Sequence, residues 1–88
     1  MDLVELESYV KRGSNRKKVF LALEGSLMPS ELVLRLYSKM SNTRFNIVSR
    51  ALAELVQVGL VRVKNPKEKT GRLYELTPAG KNLKKIIS

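Results

Sequence analysis

Hydrophobic residues recur at helical spacing through most of the chain, and this pattern predicts four helices before Gly59. A first helix is expected over residues 2–11, and a second over residues 15–23 with Ser14 as its N-cap. The segment LMPSELVLRLYSKM predicts a third helix, because Pro29 suits a first helical turn. A short Ser-rich turn then leads into the fourth helix.

The segment TRFNIVSRALAELVQVG has the most regular helical pattern, and we place this helix at residues 43–58 with Gly59 as its left-handed cap. Its two faces differ in character on a helical wheel. The apolar face, which we assign to the core, carries Phe45, Val48, Leu52, Leu55 and Val56. The opposite, outward face carries Thr43, Asn46, Ile47, Arg50, Glu54 and Gln57.

The periodicity changes after Gly59, where two short β-prone runs flank a loop. Residues 60–63 and 73–76 predict the strands of a hairpin, with the turn formers Pro66 and Gly71 between them. Thr77 and Pro78 then start a last helix, whose apolar face carries Ala79, Leu83, Ile86 and Ile87. The predicted fold class is α+β and mostly helical, in a single domain. Its parts are an N-terminal helix (1–12), a core (14–77) and a C-terminal helix (78–88).

The charge of the chain is high and unevenly distributed. Seventeen Lys and Arg residues against eight acids give a net charge of +9. Five of these cations and one acid fall in residues 62–72, whereas the first ten residues hold three acids and no Lys or Arg. Such a concentration of charge favours a polyanionic partner, nucleic acid before an anionic membrane surface. We call residues 64–72 the basic loop; its cations are Lys64, Lys67, Lys69 and Arg72.

The outward face of the fourth helix offers side chains that read base edges. Asn pairs with adenine and Arg with guanine through two hydrogen bonds each, and an exposed Ile meets a thymine methyl group. Asn46, Arg50 and Ile47 supply these three groups. An ordinary solvated helix face would explain Glu54 and Gln57 well, but it would explain an exposed Ile47 poorly. Two helices joined by a short turn and followed by a basic hairpin predict a winged helix-turn-helix. Like charges on the loop are then compensated by phosphates.

The segments IVSRALAELVQVGLVRV and GRLYELTPAGKNL resemble the winged-helix transcription regulators of the MarR and ArsR type, above all their small single-domain archaeal members. SNRKKVFLAL is similar to the first core helix of that family, so the resemblance spans about residues 14–83. It implies that part of the fourth helix and the turn before it approach the major groove, with the basic loop on the neighbouring backbone or minor groove. The residues implied for the major groove are Asn42, Thr43, Arg44, Asn46, Ile47 and Arg50.

Two departures from the family narrow the expectation. Metal-sensing members use Cys and His ligands, and this chain has neither, so we expect no metal and no cofactor. The ligand cleft of the MarR type needs longer flanking helices than this chain provides. The lack of His and Cys also removes the usual general bases and nucleophiles, so we predict no enzymatic activity.

Two further features bear on partners. Arg16, Lys17 and Lys18 stand at the start of the second helix, where cations oppose the helix dipole, and contact with phosphate would account for them.

The terminal helices carry more apolar positions than a small domain obviously buries. These positions, Val4, Tyr9, Ile86 and Ile87, predict a homodimer that pairs through the terminal helices.

The resulting expectation is a sequence-specific regulator of transcription that binds double-stranded DNA, has no membrane partner and lies in the cytoplasm with the nucleoid. Two alternatives stay open. The first is a non-specific chromatin or nucleic-acid-binding protein, which would need the charge but not the paired Asn46 and Arg50. The second is a winged-helix adaptor that binds protein, although adaptor surfaces tend to be acidic or apolar.

Overall fold

The computed structural model describes residues 1–88 and contains five helices and one two-stranded antiparallel sheet. The elements, in chain order, are α1 (Leu3–Arg12), α2 (Ser14–Ala22), α3 (Pro29–Tyr37), α4 (Asn42–Gln57), β1 (Val61–Val63), β2 (Tyr74–Leu76) and α5 (Pro78–Ile87). The predicted α+β, mostly helical class and the order of its elements are confirmed. The arrangement is compatible with a winged helix.

At the starts of α1 and α5, side chains satisfy backbone N–H groups that have no partner within the helix. Asp2 accepts a hydrogen bond from the N–H of Glu5 at the start of α1, at 2.8 Å. Before α5, Thr77 accepts from the N–H of Gly80 at 3.1 Å. The predicted cap of the second helix is wrong by one residue: α2 already begins at Ser14, and Gly13 at its cap provides no side chain.

One core joins all the helices to the hairpin. Its buried members are Val10, Val19, Phe20, Leu23, Leu32, Val33, Val48, Ala51, Leu52, Leu55, Leu60, Val61, Leu76 and Leu83. The helix α4 is central to this core, since it packs against α2, α3 and β1. The side of α4 turned away from these contacts is therefore free for solvent or a partner.

The predicted apolar face of α4 is partly wrong. Phe45 and Val56 are each 37% exposed, whereas Ala51 is fully buried. The cause lies in the packing of α2, which covers the side of α4 that carries Ala51. The buried arc is rotated toward α2, and the wheel, which weighted large apolar side chains, placed it too close to Phe45.

The predicted apolar face of α5 also needs correction. Leu83 is buried as expected, but Ala79 is exposed and Ile86 is 54% exposed. Gly80 is buried instead, and a Cβ at this position would overlap the carbonyl oxygen of Leu60 and lie 3.3 Å from Cδ2 of Leu76. The backbone of α5 thus rests directly on the chain that follows α4, which only a glycine permits.

The hairpin has a third, very short strand partner that the hydrophobic pattern did not reveal. Val61 pairs with Leu76 and Val63 with Tyr74 between β1 and β2. On the other side of β2, the N–H of Leu27 donates to the carbonyl of Tyr74 at 3.0 Å, and the Tyr74 N–H donates to Leu27 at 2.8 Å. The segment between α2 and α3 is thereby joined to the hairpin.

None of the helices combines the length and the apolar character needed to cross a membrane.

Candidate nucleic-acid interface

The turn between α3 and α4 orients the first residues of α4. Ser38 adopts a left-handed conformation with φ 64°, and its N–H donates to the carbonyl of Leu34 at 3.0 Å, which ends α3. Ser41 then caps α4 by accepting a hydrogen bond from the N–H of Arg44 at 3.1 Å. The guanidinium of Arg44 stands 5.3 Å from the ring centroid of Tyr37, a cation–π contact between the two helices. Arg44 is therefore half-buried, and part of its surface is already in use.

The outward residues of α4 are mostly exposed, as the wheel predicted. Asn42, Thr43, Asn46 and Arg50 are exposed, and none of their side chains has a hydrogen-bond partner within the chain. Ile47 differs from the expectation, since it is half-buried. It lies toward the start of α2 and not on the most exposed side of α4. Its position therefore needs no base contact to explain it.

A cleft of about 490 Å³ runs between α4 and the start of α2. Thr43, Asn46 and Arg50 form its wall on α4, and Gly13 to Arg16 form the opposite wall. Four of the six residues that the sequence predicts for the major groove thus share one concave surface with the first turn of α2: Thr43, Asn46, Ile47 and Arg50.

Arg16 has a structural role that sequence reasoning missed. Its Nε and Nη2 donate to the backbone carbonyl of Tyr9 at 3.0 and 2.7 Å, and its guanidinium lies 3.9 Å from the Tyr9 ring centroid. Its Nη1 also donates to Oε2 of Glu54 at 3.4 Å, with the Arg16 side chain only 17% exposed. One side chain therefore ties α1 to α4.

These contacts account for a cation at this helix start without any phosphate, so the expected phosphate contact is not needed to explain Arg16. Such a fork of donors is typical of a guanidinium that fixes several partners at once. Lys17 and Lys18, by contrast, are exposed and take part in no ion pair. Phosphate contact stays a prediction for these two lysines.

The basic loop is held by hydrogen bonds from its own residues. Asn65 at its start donates from Nδ2 to the carbonyl of Gly71 at 3.2 Å, while its Oδ1 accepts from the N–H of Leu73 at 2.7 Å. Arg72 donates from Nε to the carbonyl of Glu68 at 2.8 Å. This long loop consequently has internal order even though its residues are mostly exposed.

A second cleft, of about 420 Å³, separates the basic loop from α4. Phe45 and Ser49 line it from α4, and the loop contributes Lys69 to Arg72. Lys64 and Lys67 do not line this cleft. The loop cations at its carboxyl side therefore face the same space as α4.

Sequence reasoning missed Ser49 and the surface position of Phe45. Ser49 was detectable, since it follows Asn46 by three residues and so lies near it on the helix surface. Phe45 was not, because only the packing of neighbouring elements shows that its ring remains partly exposed.

The cations that border α4 and the loop are electrically uncompensated. Four ion pairs occur in the protein, and they engage Lys11, Arg16, Arg35 and Arg62. Neither Arg50 nor any cation of the basic loop is among them. Arg50 and the cations of the basic loop therefore keep a charge that a polyanion could compensate.

Arg62 is the exception within the basic stretch of the sequence. It stands opposite Glu75 in the hairpin, and its Nε donates to Oε2 of Glu75 at 2.7 Å. Ser26 donates to the other carboxylate oxygen at 3.0 Å. The hydrogen bonds from Arg62 and then Ser26 lower the pKa of Glu75, so this carboxylate stays charged and neutralises Arg62. Arg62 thus belongs to the frame of the hairpin.

The structure brings together no group of three or more His, Cys, Asp or Glu side chains able to hold a metal ion. In comparisons with known proteins, no family model matches the chain, and neither a curated protein nor a solved structure does.

Proposed function

We propose that this protein is a winged helix-turn-helix regulator of the MarR/ArsR kind that binds double-stranded DNA in a sequence-dependent way. The observation that carries the proposal is the common border of α4 and the basic loop. Lys69 and Arg72, which form no ion pair, line a cleft whose other wall carries Phe45 and Ser49 of α4. The exposed Asn46 and Arg50 directly follow these two residues in the chain and line the neighbouring cleft beside α2. The candidate base-reading groups thereby lie on the same helix that faces the charged loop.

In this proposal α4 enters the major groove through its amino-terminal half. Asn46 hydrogen-bonds an adenine and Arg50 a guanine, while Asn42 and Thr43 contact the bases or backbone beside them. The basic loop lies along the flanking backbone, where each phosphate that it neutralises releases counterions. Such a protein would be found with the nucleoid in the cytoplasm.

The decisive experiment is selection of bound duplexes from a random DNA pool at moderate salt. A recovered sequence motif is the expected result, because Asn46 and Arg50 are free to pair with bases. Salt-dependent binding without any motif would favour the non-specific chromatin protein instead. A protein that retains no duplex would refute DNA binding and favour the adaptor.

We also propose a homodimer that pairs through the terminal helices. Val4 on α1 is 75% exposed and Ile86 on α5 is 54% exposed, and α1 and α5 are in contact with each other. Two of the apolar positions that suggested a dimer are used within the chain instead. Tyr9 lies under the guanidinium of Arg16, and Ile87 packs against the core.

The dimer is tested by sedimentation of the full chain beside Val4→Glu and Ile86→Glu variants. We expect the parent protein to sediment as a dimer and both variants to shift toward monomer, because a carboxylate is costly to bury in an apolar interface. Substitution is preferable to deletion of α1, which would remove the fully buried Val10. A parent protein that is monomeric at high micromolar concentration would refute the proposal.

A further inference from the structure

Asn65 is the side chain that closes the basic loop. Its amide spans the base of the loop in both directions, donating to the carbonyl of Gly71 and accepting from the N–H of Leu73. Its backbone carbonyl also accepts from the N–H of Glu68 at 3.0 Å, which folds the first turn of the loop. One residue thereby makes three of the hydrogen bonds that shape this segment.

The two side-chain hydrogen bonds of Asn65, which we call the clasp, lie where ordinary strand pairing ends. The last ladder-like hydrogen bond runs from the N–H of Lys64 to the carbonyl of Leu73, at 2.7 Å. Beyond it, the amide group of Asn65 takes the place of a further backbone pair. One further side chain connects the two arms, nearer the tip, where Arg72 donates from Nε to the carbonyl of Glu68.

The clasp matters because the loop concentrates like charge. Lys67, Lys69 and Arg72 repel one another, and no acid pairs with them. Without a closure, this repulsion favours an open and mobile loop. A binding partner would then have to order the loop, and that ordering would reduce its affinity.

We propose that Asn65 is a positioning residue for DNA binding, which holds the basic loop in its binding shape without contacting DNA. This inference rests on the proposed function, whose polyanionic partner gives the ordered charges their use. Arg72 acts in the same frame, since its Nε is tied to the carbonyl of Glu68 while its terminal nitrogens stay free for phosphate.

The first measurement needs no DNA. Asn65→Ala removes both side-chain hydrogen bonds, so we expect faster hydrogen exchange at the amide of Leu73. The control is Asn82→Ala, which removes an exposed amide side chain on α5 that has no hydrogen-bond partner within the chain. Unchanged exchange at Leu73 in the Asn65 variant would overturn the clasp itself.

The second measurement is binding to a fixed duplex over a range of salt concentrations. Asn65→Ala should weaken binding roughly three- to tenfold, the scale expected when a few side chains must be ordered on binding. The slope of log affinity against log salt should stay that of the parent, because no cation is lost. Asn82→Ala should match the parent in both quantities.

Each other outcome has a distinct meaning. A reduced salt slope would show that Asn65 is part of the contact with phosphate and would overturn the positioning role. Faster exchange with unchanged affinity would also overturn it. A parent protein that binds no duplex would refute the proposed function and the role of Asn65 together. The hydrogen-exchange measurement would still test whether the clasp exists, because it needs no DNA.

Discussion

Replacing Arg50 or Asn46 by Ala separates base reading from charge attraction. Both side chains are exposed, and neither has a partner within the chain. Each substitution should therefore change the free energy of unfolding by no more than about 0.5 kcal/mol. A loss of DNA binding in either variant would then belong to the interface and not to the fold.

The expected losses follow from the chemistry of each side chain. A bidentate contact with the correct base is worth about 1–3 kcal/mol, or roughly 5- to 150-fold in affinity. Both variants should lose this amount on the selected duplex, each with preference relaxed at one base pair. On random duplexes Asn46→Ala should bind like the parent, because it carries no charge. Arg50→Ala should lose only the contribution of one cation to binding, so the slope of log affinity against log salt should change by about 0.9.

The assay measures affinity on a selected and a random duplex at the same salt, together with a thermal melt. Gln57→Ala is the matched control, since it removes an exposed amide at the far end of the same helix. Equal losses on both duplexes would refute the claim that α4 reads sequence. A melting temperature lowered by many degrees would refute the surface assignment of the residue instead.

Three further predictions test the loop, the packing of α5 and the hairpin. Changing Lys67, Lys69 and Arg72 together to Ala should reduce the salt slope by about 3 on any duplex, and an unchanged slope would remove the loop from the interface. Gly80→Ala should destabilise the protein by roughly 1–3 kcal/mol, because the backbone it meets cannot move aside; a thermal melt equal to the parent's would contradict this. Because the pKa of Glu75 is lowered from its ordinary value of 4.5, its contribution is present above that pH and declines as acid protonates the folded state. Denaturant titrations should therefore show the parent losing stability below about pH 4.5 more steeply than Glu75→Gln.

The hydrophobic pattern was sufficient to predict the elements, because each has a period and a boundary residue of its own. Thr77 and Pro78, for example, mark the start of α5 by capping and by a fixed φ, both of which are local effects. The hydrophobic pattern did not predict the strand-like pairing of Leu27. A single extended residue has no period, and its partner Tyr74 is remote in the chain.

The sequence predicted those site residues whose availability depends only on which face of a helix they occupy. It did not predict those whose availability depends on contacts with other elements. Asn46 and Arg50 face outward because the opposite side of α4 is apolar, which a wheel detects. Arg16 resembled its lysine neighbours in the sequence, yet it is held by Tyr9 and Glu54, which only the packing of α1 and α4 brings within its reach. The same limit applies to Phe45, whose exposure depends on where the basic loop and the start of α3 lie.

The pairing of Leu27 with Tyr74 has a consequence for the order of folding. The helices and the hairpin of this chain close over short stretches of sequence, whereas this pair must bring together distant parts of the chain. Contacts of high sequence separation form slowly, because the entropy of loop closure must be lost first. We therefore expect the cleft between α4 and the basic loop to take its final shape late in folding. A nascent chain that has completed α4 but not yet added β2 has no hairpin, so it presents the polar face of α4 before the charged wall opposite is in place.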